Sequence, residues 1–289
     1  MLVTCGPDTG LGHLRRMQVL ARALSGRGAR IGWCVDGVAA LAGEEAVAFD
    51  RNSEFTSDIL VVDGYNFDLA SLRSGFGGLL CVVDDLCDRP IDADVVVNHN
   101  LYAPDLNYLQ ASTCLLGPGY ALIDPEFGRI SPGGAGEDGD ILVTLGGARR
   151  FCVLAVELAG EIARQNGRTV GVAVPEPLSD VPIPQSVRLE CNEPMVGLFL
   201  RYRNLVTGLG VSYLEALASG KPLYGISLID NQQEALGAAA KLGLPVSPLL
   251  APKQLATGIV RELARPFSSV RLIDGHGSSR VADVLMRAL

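Results

Sequence analysis

Two glycine-rich stretches carry the residue types that could do chemistry on a small anionic molecule. The first, residues 6–16, reads GPDTGLGHLRR and lies between an apolar run and an amphipathic one. A glycine turn at a strand-to-helix junction aims backbone N–H groups at an anion, and the helix adds the positive end of its dipole. Two familiar phosphate motifs fail here. G-x-G-x-x-G needs a third glycine where Arg15 stands, and a P-loop needs Gly-Lys-Ser/Thr where Gly12-His13-Leu14 stands. The informative residue is therefore His13, a histidine at a helix start that can act as a general base. The second stretch, residues 207–233, reads TGLGVSYLEALASGKPLYGISLIDNQQ. It holds a glycine turn, an alanine-rich helix with Glu215 one turn in, a strand and a polar tail. That pattern suits a phosphate with a sugar attached, because the turn and helix start face the anion while a glutamate accepts hydrogen bonds from ribose hydroxyls.

The acidic pairs carry a competing chemistry. Asp92-Ala93-Asp94 has the D-x-D form that holds Mn²⁺ or Mg²⁺ on a diphosphate. It precedes a strand, and the pattern is short enough to arise by chance, so no metal is expected. Asp84-Asp85 follows a strand and reads as a polar anchor or a cap for the next segment. Asp36 could imitate the ribose-binding acid of a dinucleotide site, but the missing third glycine argues against it.

From strand to helix, the chain alternates. Strands are predicted over 2–5, 29–35, 59–63, 79–83, 95–98 and 113–116, with helices over 14–25 and 67–73. A second series follows, with strands over 141–145, 169–173, 187–189, 204–207 and 223–226 and helices over 152–165, 195–202, 233–242, 252–263 and 280–289. This is α/β with parallel sheets. Residues 125–139 are rich in glycine and proline and read as the linker. Two doubly wound Rossmann-like domains are thus expected, over 1–130 and 140–275. The helix in 276–289 is free to cross back to the first domain, and the ligand belongs in a cleft at the carboxyl ends of the strands.

Composition narrows the partners. A chain of 289 residues with net charge −8 lacks the clustered Lys and Arg that nucleic acid requires. Hydrophobic residues make up 48 %, yet no run approaches the roughly 18 apolar residues of a membrane span. Residues 1–5 read as a first strand, not a signal peptide, so a cytoplasmic protein is expected. Seven single cysteines without C-x-x-C read as reduced core residues, and three dispersed histidines give no zinc spacing. No cofactor is implied, and a monomer is favoured.

Four co-linear motifs carry a resemblance. Gly10-Leu11-Gly12-His13-Leu14-Arg15-Arg16, residues 116–127 (LGPGYALIDPEF), the second glycine stretch through Gln232, and Ile273-Asp274-Gly275-His276-Gly277 with Arg280-Val281 resemble the UDP-sugar hydrolase of pseudaminic acid biosynthesis and related spore-coat polysaccharide proteins. A more distant similarity is to GT-B glycosyltransferases, including the lipid II-forming N-acetylglucosaminyl transferase. The resemblance implies a GT-B fold and metal-free hydrolysis of the C1–O bond of UDP-2,4-diacetamido-2,4,6-trideoxy-β-L-altropyranose. Carried onto this chain, it makes His13 the catalytic base and Tyr65, in Asp63-Gly64-Tyr65, a second catalytic candidate. It also makes Asn98 and Asn100 contacts for acetamido or hydroxyl groups. Gly10, Gly12, Arg16 and Gly147 join the substrate contacts. Gly208, Leu209, Gly210 and Val211 offer backbone N–H groups, Ser212 its hydroxyl and Glu215 a ribose contact, with Asp230, Asn231 and Gln232 toward the sugar. Two departures bear on the sugar's identity: Ala148-Arg149-Arg150 replaces a hydroxyl residue and aspartate, and Asp124 stands where the family carries arginine. Two other readings share the donor site, an inverting glycosyltransferase and a non-catalytic nucleotide-sugar binding protein.

Overall fold

The computed structural model describes residues 1–6, 11–38, 45–50, 53–132, 139–265 and 271–289. The chain divides into two compact units, Met1–Asp124 with His276–Leu289, and Pro125–Gly275.

In the first unit seven strands form one parallel sheet. They are β1 (Leu2–Cys5), β2 (Cys34–Gly37), β3 (Val47–Ala48), β4 (Ile59–Asp63), β5 (Leu79–Val83), β6 (Val95–Asn98) and β7 (Thr113–Leu116), in the order β3-β2-β1-β4-β5-β6-β7. The central strands are apolar throughout because both faces are covered. On one face Val3, Cys5, Val61, Val83 and Val97 meet Leu14, Met17, Leu20 and Leu24 of α1 (Gly12–Ser25). Val281, Ala282 and Leu285 of α8 (Gly277–Arg287) complete that layer. On the other face Leu2, Leu60, Val62, Leu80 and Val82 meet Phe67, Phe76 and Tyr108. The short helix α2 (Leu69–Gly75) starts later than its predicted range, where Asp68 caps it by accepting from the Ser71 amide at 3.1 Å. β2 is likewise shorter than predicted. Its register begins at Leu2↔Cys34, so residues 29–33 have no stretch of β1 to pair with.

The second unit repeats the plan. β8 (Gly139–Thr144), β9 (Val170–Val174), β10 (Val187–Cys191), β11 (Tyr202–Gly208), β12 (Leu223–Ser227) and β13 (Val246–Pro248) form a parallel sheet in the order β10-β9-β8-β11-β12-β13. One face is covered by α3 (Arg149–Asn166) and α7 (Pro252–Leu263), whose Cys152, Ala155, Leu158, Ile162, Leu255 and Ile259 share a core with Val143, Val172 and Ile226. α3 stops at Gly167 in the left-handed region, φ 69°, which a glycine adopts without the Cβ penalty. α4 (Met195–Arg201), α5 (Val211–Ser219) and α6 (Gln233–Lys241) fill the remaining connections. Of the predicted linker, Pro125–Arg129 forms a 3₁₀ turn that packs against α5, with Phe127 edge-on to Phe199 at 5.1 Å. Residues 133–138 of that stretch lie outside the described residues.

Both sheets reverse strand order once, between β1 and β4 in the first unit and between β8 and β11 in the second. In open parallel sheets the loops leaving the strands at such a reversal diverge and leave room for ligands.

Candidate active site

The reversal in the first unit gathers charge. His13 follows β1 on the first turn of α1, and Asp63 is the last residue of β4. His13 Nδ1 lies 2.7 Å from Asp63 Oδ1. The carboxylate only accepts, so Nδ1 carries the hydrogen and Nε2 is left as the proton-accepting nitrogen. Arg16, one helical turn after His13, is 4 % exposed and lies across the same carboxylate, donating from Nε to Oδ2 and from Nη2 to Oδ1, both at 2.6 Å. Its remaining edge meets Asp85, after β5, with Nη1→Oδ1 at 2.8 Å and Nη2→Oδ2 at 2.9 Å. Burial pushes the Asp63 carboxyl up, but Arg16 and then His13 outweigh it and hold it below the usual range. Burial likewise raises Asp85, and Arg16 reverses that to hold it well below an ordinary carboxyl. The Arg16 guanidinium, penalised by burial, is in turn raised by the two carboxylates.

Three more groups close the cluster. Tyr65 is exposed, donates its hydroxyl to Asp85 Oδ2 at 2.8 Å and sets its ring edge-on to His13 with centroids 5.1 Å apart. Burial of the hydroxyl, then the Asp85 charge, raise its pKa far above that of a free tyrosine. Asn100 donates from Nδ2 to Asp85 Oδ1 at 3.0 Å. His99, 2 % exposed, accepts from the Leu122 amide at Nδ1, so its proton sits on Nε2, 3.3 Å from Arg16 Nη1. Burial first and Arg16 second lower its pKa to about 4, which keeps it neutral.

Several sequence expectations change here. Arg16, expected on the substrate, spends donors on Asp63 and Asp85 and so joins the two carboxylates. Asn98 is fully buried, with Nδ2 on Tyr108 Oη at 2.9 Å and Oδ1 accepting from both the amide and the side chain of Asn100, so it shapes the loop and offers nothing outward. Asp84 is a cap, one of the two roles its position suggests, and accepts from the amides of Leu86 and Cys87 and from Tyr108. Asp94 of the D-x-D spends its carboxylate on Arg73 and on the Leu80 amide. Of the cysteines, Cys114 is exposed, whereas Cys5, Cys34, Cys81 and Cys152 are in the core. Gly12 is the first residue of α1, and Gly10 lies outside the described residues. The sequence does not single out Asp63 and His99 as site residues, and it offers Asp85 only as a polar anchor or a cap. The signal available was their position, at or just after the ends of β4, β5 and β6.

The reversal in the second unit is built from backbone. Gly146 and Gly147 lie beyond β8, and Gly146 has φ 102°. Gly208 ends β11, and Leu209 and Gly210 follow it, with Gly210 at the start of α5. Leu209 is not a free donor, since its amide is bonded to the Ile226 carbonyl at 3.1 Å. Gly208 is a glycine for packing reasons, because a Cβ there would lie 2.6 Å from Leu228 Cδ1. The amides of Val211 and Ser212 belong to the first helical turn, which has no intrahelical acceptor, whereas Tyr213 donates back to Gly210. A Cβ on Gly210 would meet only Gln232 Nε2, at 3.9 Å, and Gln232 itself is fixed by accepting from the Leu228 amide at 2.8 Å. Glu215 is 8 % exposed, and Asp230 and Asn231 stand in a 3₁₀ turn ahead of α6. The two arginines beyond Gly147 are engaged at the surface, Arg149 with Asp180 and Arg150 over the Phe151 ring at 4.6 Å. Among the described residues no group of three or more His, Cys, Asp or Glu is placed to hold a metal ion, and no helix is long and apolar enough to cross a membrane.

No family model matches the chain, and no curated protein matches it. Solved structures do. The glycotransferase of kitacinnamycin superposes with a TM-score of 0.65 at 17 % identity, covering 100 % of this chain and 98 % of the other. The calicheamicin glycosyltransferase gives 0.62 at 16 %, covering 100 % and 97 %. The UDP-GlcNAc 2-epimerase of Methanocaldococcus jannaschii, in complex with UDP-GlcNAc and UDP, gives 0.62 at 12 %, covering 99 % and 98 %. At these identities the likeness is one of fold, and the fold is GT-B: two parallel α/β units in one chain.

Proposed function

We propose that this chain is an enzyme that breaks the C1–O bond of a UDP-sugar with inversion, His13 acting as the general base. The observation that carries the reading is the 2.7 Å bond from His13 Nδ1 to the buried Asp63 at the sheet reversal. In the reaction a hydroxyl oxygen attacks C1 from the face opposite the diphosphate, and its proton passes to His13 Nε2. The C1–O bond breaks, and UDP leaves with the bonding electrons. Asp63 stabilises the imidazolium as it forms. A diphosphate leaving group needs oriented donors more than a proton, a role assigned to the amides of Gly210, Val211 and Ser212, with Glu215 on the ribose and Asp230, Asn231 and Gln232 toward the sugar. Tyr65, whose hydroxyl proton is engaged by Asp85, offers its ring and its oxygen to the substrate.

The acceptor separates two readings. Water as acceptor, giving a hydrolase for a UDP-diacetamido-trideoxyhexose, is supported by the four co-linear motifs. An alcohol as acceptor, giving an inverting glycosyltransferase, is supported by the glycosyltransferases among the structural neighbours, which favour this reading more than hydrolysis. Both use the same base and donor site. A proton and phosphorus NMR time course with UDP-sugars and EDTA decides. Free UDP appearing with an inverted anomeric signal in the absence of acceptor supports hydrolysis, and release only on adding an alcohol supports transfer. Binding without turnover of any UDP-sugar, with or without acceptor, refutes catalysis.

A further inference from the structure

We propose that Asp85 is a positioning residue that sets the strength of the base at His13 through Arg16. The inference rests on the reading of His13 as the base. An arginine laid bidentate across Asp63 would by itself cancel that carboxylate and leave a forming imidazolium without a net counter-charge. Asp85 takes two of the Arg16 N–H bonds, at 2.8 and 2.9 Å, so one buried cation is shared between two anions. With His13 neutral the Asp63–Arg16–Asp85 group carries one net negative charge, and the proton arriving at His13 is matched by it.

Of the other groups facing this cluster, His99, Tyr65 and Cys81 are uncharged. The charged Asp84 and Arg89 are the same in every variant compared below, so the difference tested is that of Asp85 alone. His99, from the segment after β6, is buried and neutral at pH 7. Tyr65 keeps its proton. Arg89, from the loop after β5, is bonded to the carbonyls of Gly64, Tyr65 and Phe67. Asp85 is itself fixed from several directions. Tyr65 Oη donates to Oδ2 and Asn100 Nδ2 to Oδ1, while Tyr102 Oη donates to its backbone carbonyl at 2.6 Å. The carboxylate that balances the base is therefore also the one that orients Tyr65 and Asn100.

The test is the NMR titration of the His13 ring in the full-length chain, compared between wild type and Asp85→Asn. The titration midpoint of His13 is expected to fall by about one pH unit or more in the variant. Asp85→Ser, which leaves room for water beside Arg16, serves as a second neutral variant with the same expected shift. Asn100→Ala keeps both carboxylates and is expected to titrate close to wild type. A folded Asp85→Asn or Asp85→Ser whose His13 midpoint matches wild type overturns the proposal. Ring titration needs no turnover, so it reads this electrostatic link separately from catalysis, whereas unchanged turnover in His13→Ala would refute the base reading alone. Where turnover is measured, the acid limb of kcat in Asp85→Asn is expected to move to lower pH, and an unmoved limb counts against the proposal.

Discussion

The two sheets share one strand order, and their reversals are furnished in opposite ways. Between β1 and β4 stand an imidazole, a guanidinium and two carboxylates, cross-bonded and mostly out of water. Between β8 and β11 stand glycines and a helix start. Under the proposed function the difference follows from what each task demands. A proton acceptor needs neighbours that set its charge and tautomer, so it sits in a network of side chains. A diphosphate needs close backbone approach without bulk, so glycine does better than any side chain. One backbone plan is thus furnished in two ways through the residues at the strand ends.

That contrast predicts where substitutions should act. The largest effect is expected from His13→Ala, which should lower turnover by roughly 10²- to 10⁴-fold, the usual share of a general base, in a single-turnover assay with the UDP-sugar. Next comes Asp63→Asn, which removes one of the two anions around buried Arg16. Breaking a buried pair from one side costs about 3–5 kcal/mol, and urea unfolding should show it. An Asp63→Asn protein as stable as wild type would mean the first reversal is less tightly coupled than its distances imply.

A smaller effect concerns acid. The unfolded imidazole of His99 binds a proton below about pH 6.5, but the folded one does so only below about 4. Between those values the unfolded state holds more protons, so stability rises with pH in this window. The full stability is present at neutral pH, and about 3 kcal/mol is lost on acidification to pH 4, because one proton's difference between the states is worth about 1.36 kcal/mol for each pH step. Unfolding free energies of wild type and His99→Asn at pH 7 and pH 4.5 should show a shallower decline in the variant, and equal declines would remove His99 from the acid response.

Much of the frame was legible because strands covered on both faces are written as plain apolar runs. β1, β4, β5, β6, β7 and α7 have the predicted bounds. What failed depended on partners. The start of β2 was set by where β1 begins, and the short edge strands β3 and β13 carry too few residues to signal themselves. The same holds for the site. The position of His13 at a helix start was readable from the glycine loop, as were the turn and helix of the second glycine stretch, but not the contact of His13 with Asp63. Arg16 looked like an anion binder because a sequence cannot show that carboxylates at the ends of β4 and β5 stand on either side of it. Asn98 looked available because its bonds to Tyr108 and Asn100 exist only once the chain turns back after β6.

The most direct test of this division of labour is calorimetric titration of UDP into wild type, His13→Ala and Gly210→Ala. Alanine at position 210 fits, since its Cβ meets only Gln232 Nε2 at 3.9 Å, so the fold should be kept while the approach of a phosphate is hindered. Equal UDP affinity is expected for wild type and His13→Ala, with an affinity about tenfold weaker for Gly210→Ala, or about 1.4 kcal/mol. Affinity lost in His13→Ala and kept in Gly210→Ala would overturn the division, placing the nucleotide at the charged reversal.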